Sequence, residues 1–235
     1  EFADQQHFWM MWRFEVLKKH SHFLLKDGTG TLEIGCGNGV VIKQLEDWTK
    51  HTIDGCDLNQ FALEKVGKIR GDLYVYDIFD FSEKLTNRYD AIILLDVVEH
   101  IEDDIGFIKA AMKHAKRDAR IIINVPALDS LFSKYDTQAG HQRRYSRKSL
   151  TELCMACDLE IDAIQYWGLS LLPVAWIRKL LLLFVKEDQI IKTGFSPPSP
   201  WINKLFKVLM RFENRFFNKP ILGTSLLAVA RFKSP

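Results

Sequence analysis

Glu33, Gly35, Cys36, Gly37 and Gly39 fall in one short stretch, Glu-Ile-Gly-Cys-Gly-Asn-Gly, between an apolar run and an amphipathic one. Glycines at such a strand-to-helix bend let the backbone take positive φ and approach a ligand closely. The free amides at the helix start favour anionic groups. The next apolar run ends on Asp57. In a parallel sheet that acid sits beside the bend, where it accepts hydrogen bonds from a ribose diol. Bend and acid together predict a nucleotide-type cofactor. A dinucleotide loop reads Gly-x-Gly-x-x-Gly. Counted from Gly35, its third glycine falls on Val40, and the pattern fails.

A second group follows the most continuous apolar strand: Leu95-Asp96-Val97-Val98-Glu99-His100-Ile101-Glu102-Asp103. Ligands of open parallel sheets bind beyond the carboxyl ends of the strands, so these residues border the same crevice. An imidazole of near-neutral pKa at His100 can take a proton from an acceptor; a structural histidine bonded to backbone is the other reading. A third group is the loop from Tyr135 to Ser146, which carries Asp136, His141, Arg143, Arg144 and Tyr145. Arginine pairs bind phosphate or carboxylate. The reading divides this loop between architecture, an Asp136–arginine ion pair, and acceptor recognition, with His141 facing the acceptor. The opening His7-Phe8-Trp9-Met10-Met11-Trp12-Arg13 is either a cap that packs its aromatics on the sheet or an arm folded over the cofactor.

Residues 31–126 resemble, strand by strand, the class I S-adenosylmethionine-dependent methyltransferases. The loop ExGxGxG matches their first motif. The runs LDVxEHxxD and GHxRRY resemble a subgroup of the type 11, 12 and 23 methyltransferases that act on small molecules, quinone precursors and glycan or lipid intermediates. The opening is similar to their HxWFxxR segment, with Met10 in place of the usual aromatic. The resemblance implies S-adenosylmethionine as cofactor. Glu33, Gly35, Cys36, Gly37 and Gly39 then wrap its aminoacyl part. Asp57 holds the ribose and Leu58 packs on the adenine. Asp77 and Ile78 meet the adenine amine, Asp96 and Val97 contact the methionine portion, and Arg13 pairs with its carboxylate. His100 and His141 are the expected catalytic residues. Tyr135, His141, Arg143, Arg144 and Tyr145 are expected to bind a small-molecule acceptor of lipid-linked, glycan or quinone type. A nicotinamide-dependent oxidoreductase and a non-catalytic cofactor- or partner-binding module are the alternatives.

The elements that must position these residues alternate. Strands are predicted at 31–35, 52–57, 73–76, 91–95, 119–125, 159–166 and 222–232. Helices are predicted at 6–23, 40–49, 59–68, 103–116, 149–157, 170–185 and 201–217. Such alternation predicts an α/β fold with right-handed crossovers: a Rossmann-like, doubly wound seven-stranded sheet, mostly parallel with an antiparallel last strand. An N-terminal helical cap (1–28), the cofactor-binding core (29–167), a helical insertion or lid (168–220) and a final strand (221–235) divide the chain. A rigid proline-rich break is read at 196–200.

Composition bounds the rest. The chain is 47 % hydrophobic and 26 % charged, with a net charge of +2, ordinary for a globular core. Balanced charge and the absence of a recognisable module argue against nucleic acid. Cys36, Cys56, Cys154 and Cys157 form no disulfide framework; Cys154 and Cys157 read as core cysteines. No metal-ligand spacing is visible. Pro173, Arg178 and Lys179 interrupt the apolar stretch 168–185 and exclude a spanning helix. No signal-peptide pattern opens the sequence, so a cytoplasmic protein is expected. In the last helix, Trp201, Leu205, Leu209 and Phe212 lie at helical spacing among Lys204, Lys207, Arg211 and Arg215. That pattern reads either as an ordinary lid helix or as a peripheral anchor at the inner face of a membrane.

Overall fold

The computed structural model describes residues 5–185, 190, 199–217 and 219–233. Seven strands form one sheet: β1 (Thr31–Ile34), β2 (Ile53–Asp57), β3 (Leu73–Val75), β4 (Tyr89–Leu95), β5 (Ala115–Pro126), β6 (Leu159–Trp167) and β7 (Ser225–Phe232). Their order is β3-β2-β1-β4-β5-β7-β6. The first five pair in parallel, and β7 runs antiparallel between β5 and β6. The expected Rossmann-like architecture is thus the observed one.

The sheet is buried on both faces, which is why its central strands read as unbroken apolar runs. On β4, Ile92 and Leu94 point to the face packed with Phe107, Ile108, Leu150 and Cys154. Ala91, Ile93 and Leu95 point to the opposite face, with Trp12, Leu17, Ile42 and Leu45. The first face is covered by α4 (Asp104–Met112) and α6 (Arg147–Ala156); the second by α1 (Phe8–His20) and α2 (Val40–Thr49). A short helix, α3 (Gln60–Leu63), follows β2, and another, α5 (Lys134–Gln138), lies in the long connection after β5.

Several boundaries move. The helix expected over 59–68 ends at Leu63, and the one expected over 103–116 ends at Met112. There β5 already begins, pairing Ala115 with Tyr89 before a register shift. The last strand starts at Ser225 rather than 222. A side chain at Gly223 would stand 2.2 Å from the Trp167 carbonyl oxygen, so the chain is still turning there. Most of the expected break at 196–200 lies outside the described residues.

The topology decides where the C-terminal insertion goes. Because β6 runs parallel to β5, it ends at the carboxyl rim of the sheet. Antiparallel β7 begins at that same rim. The helices between them, α7 (Leu172–Leu182) and α8 (Pro200–Phe216), therefore lie over the rim. Glu213 of α8, only 2 % exposed, fastens them. Its carboxylate accepts from the backbone N–H groups of Gly168 (2.9 Å), Leu169 (3.0 Å) and Ser170 (2.7 Å), and from Ser170 Oγ. The buried seam of α8 is Met210 and Glu213, with Phe206 partly buried beside them. Trp201, Leu205 and Phe212 point to solvent.

Replacing Glu213 leaves these donors buried without an acceptor. Glu213→Ala is expected to destabilise the protein by about 2–4 kcal/mol. Glu213→Gln keeps one acceptor oxygen and should cost less. Urea unfolding followed by circular dichroism measures both.

Candidate active site

The strand order reverses between β1 and β4, which opens the crevice where such sheets bind ligands. The glycine bend leaves β1 there. Gly35 has φ +72°, and a Cβ on it would stand 2.5 Å from Val97 Cγ2. The bend and the segment after β4 thus meet so closely that only glycine fits. Gly37 also has positive φ, and open space faces it, a cradle that a ligand can enter. The N–H groups of Gly35 and Cys36 both donate to the Cys56 carbonyl. Cys36 itself is buried, its thiol packed under Gly55, so its backbone rather than its side chain borders the cradle. Gly39 caps the start of α2.

Asp57 ends β2 beside this bend. One carboxylate oxygen accepts from Gly37 N–H (2.8 Å) and the other from Asn59 N–H (2.8 Å). Charge-assisted bonds of this kind fix the bend and the acid together. Leu58, next to it, is 69 % exposed, an apolar surface awaiting a flat ring. Asp77 accepts from Phe79 N–H, whereas Ile78 is a core residue. Glu33 is buried, its Oε2 has no hydrogen-bond partner, and burial pushes its carboxyl up to about 8. A buried carboxyl with an orphan oxygen next to an open glycine cradle suits the ammonium and sugar groups of an adenosyl amino acid, so the residues present fit the implied cofactor.

Asp96, at the end of β4, adopts φ +56°, a conformation costly for a residue with a side chain. It is held from both sides. Asn124 Nδ2 donates to Oδ1 at 2.8 Å, and the Arg13 guanidinium pairs with Oδ2. Asn124 in turn accepts from Trp167 Nε1 at 2.9 Å. Arg13 also stacks on Trp9. The N-terminal segment packs Phe8 and Trp12 into the core against the sheet, and the carboxylate that Arg13 meets is Asp96.

The loop after β5 is organised around Asp136, which is fully buried. It accepts from Ser133 N–H and Oγ, from His141 Nδ1 at 2.9 Å and from Arg144 Nε at 2.8 Å. Burial acts to raise its pKa, but the bonds from His141 and Arg144 prevail and hold it at about 2. The expected aspartate–arginine pair is thus Asp136–Arg144. Arg143 and Tyr145 depart from the acceptor-binding expectation. Both bind Asp104 at the start of α4, at 2.8 and 2.9 Å, and neither borders the cavity. They clamp the loop to the start of α4.

A cavity of about 560 Å³ lies beyond Asp96, between the N-terminal arm, this loop and α7. At one end stand His100, His141, Tyr135, Arg144 and Arg178; Trp9, Leu171, Val174 and Phe206 supply apolar wall. The rings of His100 and His141 meet edge to face at 4.7 Å. Burial, then the neighbouring His141, lower the pKa of His100, so it is neutral at pH 7. Arg178 was missed as a site residue. Its guanidinium lies over the Tyr135 ring at 4.8 Å. The available signal was a cation inside an otherwise apolar helix.

Comparison with known proteins agrees with this geometry. A family model described as a methyltransferase domain matches residues 9–164. No curated protein matches by sequence. Solved structures with the same fold include a SAM-dependent methyltransferase from Archaeoglobus fulgidus, 16 % identical, covering 93 % of this chain and 92 % of its own, with TM-score 0.56. A Haemonchus contortus phosphoethanolamine N-methyltransferase 2, in complex with phosphomonomethylethanolamine and S-adenosylhomocysteine, is 17 % identical over 94 % of this chain and 52 % of its own, with TM-score 0.56. The [4+2]-cyclase SpnF is 14 % identical over 95 % of this chain and 82 % of its own, with TM-score 0.61. The chain belongs to the methyltransferase-domain family and is a class I S-adenosylmethionine-dependent methyltransferase.

Proposed function

We propose that this enzyme methylates a small acceptor that lodges a polar, oxygen-bearing head against His100 and His141 and lays an apolar body along α7. The observation that carries this reading is the polarity of the cavity. Its lining combines His100, His141, Tyr135, Arg144 and Arg178 with the aromatic and aliphatic side chains of Trp9, Leu171, Val174 and Phe206. Arg144 and Arg178 suit an anionic substituent such as phosphate or carboxylate. A lipid-linked intermediate, a glycan on an apolar carrier or a quinone precursor has this division.

When bound, the cofactor supplies an electrophilic methyl group on a sulfonium, which an acceptor atom displaces in line. The chain's own residues do the positioning. Asp57 takes the ribose hydroxyls, Leu58 covers the adenine, and Glu33 meets the ammonium group. Trp9 and Phe8 shut water out from above. Holding the two reactants in near-attack geometry supplies roughly 7–11 kcal/mol in favourable cases. His100 and His141 face the nucleophile and receive its proton. The fold is shared with a [4+2]-cyclase, and fold does not decide chemistry. A cofactor-binding protein without transfer activity is therefore the second reading.

The approach of a lipid-borne acceptor favours a peripheral protein at the cytoplasmic membrane face. No helix among the described residues is long and apolar enough to cross a membrane. Trp201, Leu205, Val208, Phe212 and Phe216 form a solvent-facing apolar stripe on α8, and exposed Lys204, Arg211 and Arg215 flank it. Such a helix lies in the headgroup plane.

Asp57→Ala should weaken S-adenosylmethionine binding by roughly 10- to 100-fold in calorimetry, from loss of charge-assisted hydrogen bonds. S-adenosylhomocysteine release across a panel of phosphorylated, glycosylated and quinone-type acceptors tests transfer; silence throughout the panel favours the binding protein. Glu33 is protonated below about pH 8 in the free protein, and a cofactor ammonium favours its carboxylate. Binding at pH 7 should therefore release a proton, seen as a buffer-dependent binding enthalpy that Glu33→Gln abolishes. Phosphatidylglycerol-containing vesicles should sediment the protein, and pure phosphatidylcholine vesicles should not. Arg211→Glu with Arg215→Glu should remove that difference, each basic residue near the surface contributing about 1 kcal/mol.

A further inference from the structure

We infer that Glu99, His100 and His141 form a binding site for one divalent transition-metal ion at the polar end of the cavity. One ligand atom from each residue lies within 4.8 Å of the other two. All three residues border the cavity.

Glu99 supplies the independent observation. It is 1 % exposed, and its Oε2 has no hydrogen-bond partner. A buried polar atom left unsatisfied is costly, and native proteins rarely keep one without a use. A cation at this point satisfies it.

The histidines are oriented as metal ligands usually are. A ligating imidazole commonly donates its other ring N–H to a carboxylate or backbone carbonyl. His141 gives Nδ1 to Asp136 Oδ1 at 2.9 Å, and Asp136 is itself anchored by Arg144 and Ser133. His100 Nδ1 lies against Gly140, within 3.5 Å of where a methyl on that glycine would stand. His141 is thereby left with Nε2 as the coordinating atom, and His100 offers one ring nitrogen to the same group. Closing the site asks only that the three atoms draw in to about 2 Å from a common centre.

The donor set fixes the class of ion. Two imidazoles and one carboxylate suit zinc, cobalt, iron, nickel or manganese rather than the all-oxygen preference of magnesium or calcium. Three protein ligands leave an open position for an outside ligand, and here that position faces the cavity. With the ion bound, His100 and His141 act as its ligands rather than as proton acceptors, and an acceptor oxygen placed there is oriented for transfer and loses its proton to water. That use rests on the methyl-transfer reading above; the binding of the ion does not.

The test uses the full chain, stripped with EDTA and then dialysed. Zinc added in calorimetry should bind at one equivalent per chain, and cobalt should give the visible absorption of a low-coordinate nitrogen–oxygen site. Glu99→Gln, His100→Ala and His141→Ala should each abolish stoichiometric binding while S-adenosylmethionine affinity stays unchanged, which shows that the variants fold. Asp136→Asn should weaken zinc binding about 10- to 100-fold. Absence of stoichiometric binding to the parent chain overturns the proposal. So does binding that survives both Glu99→Gln and His100→Ala. Zinc binding without methyl transfer to any acceptor would retain the site and overturn only its catalytic use.

Discussion

A carboxylate with no access to water survives in its charged form only inside a complete shell of donors. Asp136 has such a shell, and the acceptor side of the enzyme is built around it. Ser133 caps the start of α5 against it, Arg144 brings in a full positive charge, and His141 contributes a ring N–H. Each partner is thereby fixed in turn. Arg144 also reaches the Ala127 carbonyl, which joins the loop to the end of β5. The His141 ring is held with its other nitrogen free for the cavity. Remove the buried charge and these positions lose their common reference.

The cofactor side obeys a similar constraint at Asp96. Its left-handed backbone turns the chain sharply after β4, and a β4 residue in ordinary extended geometry would run on past the crevice. Arg13 and Asn124 hold the strained residue from two directions, and Trp167 holds Asn124. Through that chain of bonds the N-terminal arm, β4, β5 and the end of β6 form one rim around the site. Arg13 and Asp96 border the cavity, and Val97, next to Asp96, packs on the glycine bend at Gly35.

The insertion after β6 completes the enclosure. Sheet topology returns it to the carboxyl rim, and Glu213 locks α8 to the turn that leads from β6 into α7 through main-chain hydrogen bonds. With that seam satisfied, α8 has two further faces, one apolar and one basic, that the body does not cover. An amphipathic helix thus serves inward as a wall-bearing element, through Phe206, and outward as a surface of its own.

Much of this was legible in the sequence because it is local. The alternation of apolar runs fixed the strands and the doubly wound architecture. The glycines at 35, 37 and 39 and the acid at 57 announced the bend, since positive φ and close backbone approach restrict residue type position by position. The density of polar groups from Tyr135 to Tyr145 marked a loop with chemistry in it. What only the tertiary structure decided was which of those groups face inward. Arg143 and Arg144 are neighbours of identical type, yet one grips Asp104 and the other lines the cavity. Arg13 found Asp96, and a separation of some forty residues hid the meeting of Glu99 and His100 with His141. The pattern of the last helix left open whether its apolar stripe packs on the body, and in the structure Trp201, Leu205 and Phe212 face solvent. Periodicity reports that a helix has an apolar face, but which face is buried depends on the shape and hydrogen-bonding needs of the surface that receives it, and those belong to residues far away in the chain.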